Sequence, residues 1–182
     1  GLDFPRVSLV GVISADTALN LPDFRSGERT FNLLTQVAGR AGRGEREGKV
    51  IIQTYVPEHY AISASIRHDY RQFYRQEIKS RNSLKLPPFS HLASLILRGR
   101  TQEKVEKVAC HLSARLKKKS AGQNIQILGP APAQVSKIRG SFLWNVLIKG
   151  KNVISLIGLL KQVIKNLSSY QGMRLTVDID PL

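Results

Sequence analysis

The stretch Arg139-Gly140-Ser141-Phe142-Leu143-Trp144-Asn145-Val146-Leu147-Ile148 predicts a tight turn followed by a β-strand. The Arg-Gly pair suits a turn, and the alternation that follows is typical of a strand with one buried face. That face carries Phe142, Trp144, Val146 and Ile148, and the other carries Leu143, Asn145, Leu147 and Lys149. The more apolar face should pack under helices. We therefore expect Trp144 to lie in the core and not on a base-stacking platform.

The elements around this strand predict a β-α-β-β-α-β order. Helices are predicted over Thr101–Lys119 and Val153–Leu167. Further strands are predicted at His91–Arg98, at Ile125–Leu128 (broken at Pro130 and Pro132), at Val135–Ile138 and at Met173–Ile179. The order is that of the split βαβ, or ferredoxin-like, arrangement, an α+β fold. Residues 91–182 should thus form a C-terminal domain.

The residues before this domain predict a different, α/β arrangement. Val7–Ile13 is a continuous apolar run suited to a buried parallel strand, Phe24–Ala41 has helical spacing, and Lys49–Thr54 is a second short strand. This order is what a fragment of a RecA-like lobe would give, so residues 1–57 are predicted to be one.

Residues 58–90 are predicted to link the two domains. A long helical pattern covers Glu58–Leu84, and Leu86-Pro87-Pro88-Phe89 stops it. Its charges recur at helical spacing and should share a face, which is either a solvated surface or a DNA contact. They are Arg67, Arg71, Arg75, Lys79 and Arg81.

Composition limits the class of protein. The chain has 182 residues, 42% of them hydrophobic, and a net charge of +15. No apolar run reaches the roughly 18–20 residues of a membrane span. The single cysteine, Cys110, excludes an internal disulfide and any cysteine-rich zinc site, and we expect a cytoplasmic protein. Cys110 follows Val108 and Ala109 on a predicted helix, so we expect it to lie in the core.

Charge is distributed unevenly along the chain. From Lys107 to Val177 there is no Asp or Glu, whereas twelve Lys or Arg occur. Such a stretch favours a polyanion as partner, with solubility or, less well supported, membrane binding as alternatives. The candidate DNA contacts are the hairpin residues Lys137 and Arg139 and the helix-terminal residues Lys117, Lys118 and Lys119. Asp178 and Asp180 are predicted to form a surface edge, and no chemistry is assigned to His59, His68, His91 or His111.

The segment Gln36-Val-Ala-Gly-Arg-Ala-Gly-Arg43 suggests a polyphosphate site. Read as a helix, it places Gln36, Arg40 and Arg43 on one face, with glycines between them that allow close approach. Arginine makes planar, always-charged contacts that suit phosphate. A basic helix surface punctuated by glycine is the alternative. The chain contains neither a phosphate-cradling loop nor a metal-holding acidic motif, so the segment alone is half a site.

A resemblance to known helicase motifs favours the interpretation of this segment as a polyphosphate site. The pattern Gln36-x-x-Gly39-Arg40-x-Gly42-Arg43 resembles motif VI of superfamily 2 helicases, and Gly1-Leu2-Asp3-Phe4-Pro5 resembles motif V. Within that superfamily, nearly the whole chain resembles the PriA family of replication-restart helicases (primosomal protein N′). The runs concerned include Asn20-Leu21-Pro22-Asp23-Phe24-Arg25, Leu128-Gly129-Pro130-Ala131-Pro132 and Asp178-Ile179-Asp180-Pro181.

The resemblance implies roles for individual residues. Gln36 and Arg40 would face the γ-phosphate of ATP, Arg43 would be the arginine finger, and Gly1 and Asp3 would lie where nucleotide and DNA contacts meet. ATP and Mg²⁺ would be the cofactors of the full-length protein, and its zinc ligands would lie upstream. The terminal domain would have a ribosomal S10-like fold.

The resemblance also implies a function. The chain would be the C-terminal portion of a 3′→5′ DNA helicase that recognises stalled forks and initiates primosome assembly, and would itself bind DNA without hydrolysing ATP. Its partners would be branched and single-stranded DNA, single-stranded DNA-binding protein and primosome-loading proteins, with no membrane. We expect a monomer near the bacterial nucleoid. Two alternatives are a RecG-like fork-reversal helicase and a non-enzymatic nucleic-acid-binding module.

Overall fold

A computed structural model of the chain describes residues 7–39, 41, 48–164 and 172–181. The chain divides into two units, Gly1–Leu84 and Lys85–Leu182. The helices between residues 58 and 84, predicted as part of a linker, thus fall within the first unit. None of the described helices has the length and apolar character needed to cross a bilayer.

The first unit combines two short strands with helices. Its described elements follow the order β1 (Leu9–Val12), α1 (Asp16–Leu19), α2 (Ser26–Ala38), β2 (Lys49–Ile52), α3 (Tyr60–Ile66) and α4 (Tyr70–Ser83). β1 and β2 pair in parallel, with Leu9 opposite Lys49. The predicted strand–helix–strand order is therefore present, while its membership of a RecA-like lobe stays a prediction.

Helix α2 is held by apolar side chains at helical spacing. Phe31 packs with residues of α3 and α4 and stacks on Phe73 with ring centres 4.4 Å apart. Leu34 packs with Ala15 and with Ile62 of α3. The helix ends at Ala38, where the backbone N–H of Gly39 donates to the Thr35 carbonyl. Gln36 therefore lies on the last turn of a helix that is held in place by packing against α3 and α4.

The single helix predicted over Glu58–Leu84 is wrong, because the chain forms two helices there. His68 has a positive φ of 52°, which interrupts the helical path after α3. Asp69 then caps α4, its side chain accepting from the Gln72 N–H at 2.9 Å. Arg67 lies at the end of α3, so it does not belong to the row of charges on α4.

The second unit is a sheet covered by two helices. Its described elements follow the order β3 (His91–Gly99), α5 (Gln102–Lys119), β4 (Ile125–Ile138), β5 (Ser141–Gly150), α6 (Val153–Ile164) and β6 (Arg174–Ile179). The sheet order is β4-β5-β3-β6, and every neighbouring pair is antiparallel. The predicted β-α-β-β-α-β order is confirmed, and this strand order is that of a split βαβ.

The core of this unit lies between the helices and one face of the sheet. Leu95, Val146 and Ile148 from the sheet are fully buried, together with Leu112 of α5 and Leu156 of α6. Trp144 joins this core, 8% exposed, which confirms its predicted burial. Among the described residues, the two helices do not pack on the other face of the sheet. We call it the open face; it carries Arg98, Leu143 and Arg174 among others. Leu92 and Ser94 are buried at one end of that face, whereas Arg98 is half-buried and Arg174 exposed at the end near the hairpin.

Two local predictions for this unit are wrong. β4 is assigned as one strand across Pro130 and Pro132, because the chain accommodates both prolines by register shifts between Leu128 and Ala131 and after Pro132. Cys110, predicted to be core, is exposed. It follows the buried Ala109 on α5 and turns away from the sheet, because successive helical residues point about 100° apart.

Candidate nucleic-acid interface

The second unit carries most of the positive charge. Residues 85–182 contain sixteen Lys or Arg and four Asp or Glu, an excess of twelve, whereas the whole chain has +15. Two of the four acids, Glu103 and Glu106, lie in the first half of α5, and the other two lie at the end of the chain. The remainder of the unit can therefore present positive potential to a polyanion with little internal compensation.

The predicted hairpin tip is formed as expected. Lys137 pairs with Phe142, and Ile138 pairs with Ser141 across the turn. Arg139 and Gly140 both have positive φ, 47° and 74°, as a two-residue hairpin turn matched to the strand twist requires.

Both charges of the tip are accessible. Lys137 and Arg139 are exposed, and the Lys137 Nζ lies 5.0 Å from the centre of the Phe142 ring. The Phe142 ring therefore limits where the Lys137 ammonium can lie, while Arg139 projects from the turn itself.

The three lysines at the end of α5 form a second basic site, away from the tip. Lys117, Lys118 and Lys119 are exposed, and cations are favoured at a helix C-terminus. α5 starts just after Gly99, which pairs with Phe142 beside the tip. It runs for 18 residues, about 27 Å, to the opposite end of the sheet. The five predicted DNA contacts thus lie at two ends of the unit.

The acidic residues at the end of β6 have different roles. Asp178 is exposed, as predicted for a surface edge. Asp180 instead clamps β3, since its Oδ2 lies 2.7 Å from the His91 Nδ1 and its Oδ1 accepts from the Leu92 N–H at 2.9 Å. His91, to which the sequence assigned no chemistry, therefore closes the end of the sheet that lies opposite the hairpin tip.

The glycine–arginine segment is only partly described. Gln36 is exposed on the last turn of α2, so its amide can reach a ligand. Within the described part of the chain, the buried hydroxyl of the neighbouring Thr35 has no hydrogen-bond partner, an arrangement that costs roughly 1–3 kcal/mol. Gly1, Asp3, Arg40 and Arg43 lie outside the described residues, so their predicted roles stay predictions.

Asp16 ties together the loops that follow the two parallel strands. Its carboxylate accepts from the Thr54 hydroxyl at 2.9 Å and from the Tyr55 N–H at 3.2 Å. Burial alone would raise the pKa of Asp16, but the hydrogen bonds from Thr54, Tyr55 and Val56 outweigh it and lower that pKa. The carboxyl edge of a parallel pair is where α/β folds place ligands, and Asp16 fixes the shape of that edge.

Arg81 belongs to an ion-pair network that the sequence did not reveal. Its guanidinium lies 2.6 Å from Glu77 and 2.8 Å from Glu28, so it joins α4 to the first turn of α2. Burial would lower the pKa of Arg81, but hydrogen bonds to Glu28 and Glu77 outweigh it and raise that pKa. The placement of Arg81 on an exposed charged row was therefore wrong. A glutamate four residues before an arginine was the available signal.

Phe24 adds a packing contact to this network. The guanidinium carbons of Arg25 and Arg81 lie 4.9 and 5.2 Å from the centre of its ring. The start of α2 is thus fixed by charge and by aromatic packing together.

No metal-ligand cluster is found in the described part of the chain. Within those residues, no group of three or more His, Cys, Asp or Glu is placed to hold an ion.

Comparison with known proteins identifies the family. Residues 82–182 match the family model described as the primosomal protein N C-terminal domain, which is more than half of the chain. The chain belongs to this family. The matched range begins near the end of α4 and includes the whole basic second unit.

Curated relatives extend the similarity to the first unit. The chain is 41% identical to the "Replication restart protein PriA" of Bacillus subtilis and 41% identical to that of Synechocystis, over 100% of its own length in both cases. The PriA of Rickettsia conorii is 39% identical, again over the whole chain. The chain spans 23%, 22% and 27% of these three relatives, about a quarter of their length.

Among solved structures, the de novo designed protein Foldit4 aligns with 50% of this chain and 94% of its own, at a TM-score of 0.40 and 13% identity. That likeness is too low to bear on the fold or the function.

Proposed function

We propose that this chain serves in replication restart as the C-terminal portion of a PriA-type 3′→5′ DNA helicase, and that its second unit binds DNA. The observation that carries the proposal is the charge of that unit, sixteen basic residues against four acidic ones, in the part of the chain that matches the family model. Branched and single-stranded DNA, single-stranded DNA-binding protein and primosome-loading proteins are its proposed partners.

The available contacts favour binding to the phosphate backbone over recognition of base sequence. The exposed groups at the hairpin tip and at the end of α5 are lysines and an arginine, which position a nucleic acid through its phosphates. Trp144 is buried, so it offers no surface on which a base could stack. Binding should therefore depend on DNA shape and on salt, with little dependence on sequence.

The DNA-binding proposal is tested by fluorescence-anisotropy titration of the chain with forked, duplex and single-stranded DNA over a series of salt concentrations. We expect a preference for forks and a linear fall of log K with log salt, with a slope of about −0.9 per phosphate contacted in duplex DNA. Equal affinity for all three forms would show that this chain does not distinguish forks from other DNA. Absence of binding at moderate salt would overturn the proposal for the second unit.

The glycine–arginine segment is the proposed contribution to ATP hydrolysis. Gln36 is exposed on the last turn of α2, where its side-chain amide can contact a polar ligand. In the full-length protein, Gln36, Arg40 and Arg43 would contact the phosphates of ATP, with Mg²⁺ and the phosphate loop supplied from outside this chain. The chemistry that ATP would provide is transfer of its γ-phosphoryl group to water.

The role of Arg43 is tested in the full-length protein. An arginine finger is worth about 10³–10⁵ in rate, so Arg43→Ala should abolish DNA-stimulated ATP hydrolysis. DNA affinity should change little, because the proposed DNA contacts lie in the other unit. The matched control is Arg29→Ala, which removes an exposed arginine of α2 that pairs with Asp23. Hydrolysis at the wild-type rate in Arg43→Ala would exclude the arginine-finger role.

A further inference from the structure

Two arginines face each other directly on the open face of the second sheet. Arg98 of β3 pairs with Arg174 of β6 in the antiparallel register. Side chains of directly opposed residues start about 4.5–5.5 Å apart, and like charges in that position are destabilising. Neither guanidinium has a hydrogen bond or ion pair among the described residues.

Among the described residues, the neighbours of Arg98 and Arg174 on this face carry no negative charge that would offset the pair. Leu143 pairs with Arg98 on the other side, and the next row along the sheet consists of Ile96 opposite Thr176. The nearest acid on this face is Asp178, four residues from Arg174 along β6, or about 13 Å. The two positive charges are thus concentrated at one end of the face and the carboxylates at the other.

The hairpin tip lies at the same end of the sheet as the arginine pair. Gly99, the residue after Arg98, pairs with Phe142, which in turn pairs with Lys137 of the tip. Arg100 follows Gly99 and is exposed. The end of the sheet that carries the tip is therefore lined by basic side chains from three strands.

We propose that Arg98 and Arg174 form a phosphate-binding pair for the backbone of a nucleic acid that crosses the open face toward the hairpin tip. A phosphodiester can accept from both guanidiniums at once, which satisfies the donors and removes their mutual repulsion. The half-buried Leu143 and Ile96 beside them displace water and strengthen that attraction. This inference rests on the proposed DNA binding and names residues for it that the sequence did not single out.

Without bound phosphate, the repulsion between Arg98 and Arg174 should lower the thermal stability of the protein. Arg174→Gln removes one of two opposed charges, so it should raise the midpoint of thermal unfolding in buffer without phosphate. Added inorganic phosphate should raise the midpoint of the wild type and leave that of Arg174→Gln nearly unchanged. A lower midpoint for Arg174→Gln in phosphate-free buffer would show that the pair is not strained and would count against the inference.

The DNA test uses the whole chain and the form of DNA that the wild type binds most tightly. The variants are Arg98→Gln, Arg174→Gln and the double variant. The control is Lys161→Gln, which removes an exposed charge from α6, on the other side of the sheet. Each arginine that contacts a phosphate should lower the steepness of the salt dependence by about one, so the double variant should lose about two and the control none.

The outcomes separate this inference from the proposed function. If the wild type binds DNA and the double variant binds it as Lys161→Gln does, the arginine pair is not a phosphate site, although the chain still binds DNA. If the wild type binds no form of DNA, the proposed function fails and the inference with it. A midpoint raised by inorganic phosphate without any DNA binding would identify an anion site that does not serve nucleic acid, and would also overturn the inference.

Discussion

Tyr60 donates its hydroxyl proton to Glu77 across 2.6 Å, and this bond joins α3 to α4. Glu77 is 7% exposed, and its other carboxylate oxygen accepts a hydrogen bond from the Arg81 Nε–H. Burial first, and then the hydrogen bond and negative charge of Glu77, raise the pKa of Tyr60 above its ordinary value. The phenol therefore remains a donor at all physiological pH values, and the network that holds α2 stays intact.

Loss of this hydrogen bond should weaken the first unit. Tyr60→Phe keeps the ring in place but leaves Glu77 with fewer donors, so we expect about 1–2 kcal/mol less free energy of unfolding. Urea unfolding followed by far-UV circular dichroism measures the change, while fluorescence of Trp144 reports on the second unit. Tyr55→Phe is the matched control, because Tyr55 is 88% exposed. Equal stability of the two variants would show that this hydrogen bond makes no net contribution to the free energy of unfolding.

The same phenol determines why residue 27 is glycine. A Cβ at Gly27 would lie 2.8 Å from the Tyr60 hydroxyl oxygen and 3.1 Å from the Glu77 Oε2. Gly27→Ala should therefore destabilise the wild type by about 1–3 kcal/mol, as overpacking does. In the Tyr60→Phe background the closest atom is gone, so the same substitution should cost less. A double-mutant cycle in urea measures the difference, and strict additivity would contradict the steric explanation.

His59 should make the stability of the first unit depend on pH. Burial lowers the pKa of His59, opposed in part by the charge of Glu77, and the Nδ1 accepts from the Ala61 N–H as the cap of α3. The unfolded state therefore binds more protons than the folded state just below the ordinary pKa of 6.5. The stabilisation should be complete above that value and be lost as pH falls through the lower folded pKa.

This pH dependence can be isolated with a non-titrating cap. Asn is a favoured N-cap residue, so His59→Asn should keep the cap and flatten the stability profile below pH 6.5. The measurement is the free energy of unfolding across that range, kept above the region where Asp16 titrates. A profile that falls as steeply in His59→Asn as in the wild type would assign the effect to another group.

The hairpin turn allows charge to be removed without loss of structure. Arg139 has a φ of 47°, and Asn followed by Gly is the pair that this kind of turn prefers. Arg139→Asn should therefore keep or increase thermal stability while it weakens DNA binding and lowers the salt dependence by about one. The same measurement on Lys118→Asn, in the last turn of α5, compares the contribution of the second basic site with that of the hairpin tip. Unchanged DNA affinity in Arg139→Asn, with the hairpin intact, would exclude the tip as a contact.

The sequence specified the elements of the second unit almost completely. Alternation from Phe142 to Ile148 predicted β5 and the burial of Trp144, and the Arg139-Gly140 pair predicted the turn, because strand faces and turns depend on neighbouring residues. Charge is also a property of sequence, so the basic stretch was evident. Motif spacing predicted the glycine–arginine segment, although Arg40 and Arg43 lie outside the described residues.

Tertiary structure decided which distant residues meet. Arg81 was predicted to be exposed, and only the packing of α4 against α2 brings Glu28, 53 positions away, to its guanidinium. The opposition of Arg98 and Arg174 likewise follows from the register of β3 with β6, which local pattern does not reveal. Register and packing depend on the summed burial of many side chains, whereas turns, caps and alternation are set by a few adjacent ones. For that reason the sequence by itself determined the elements and the charge of this protein, and the tertiary structure determined its ion pairs and its candidate phosphate pair.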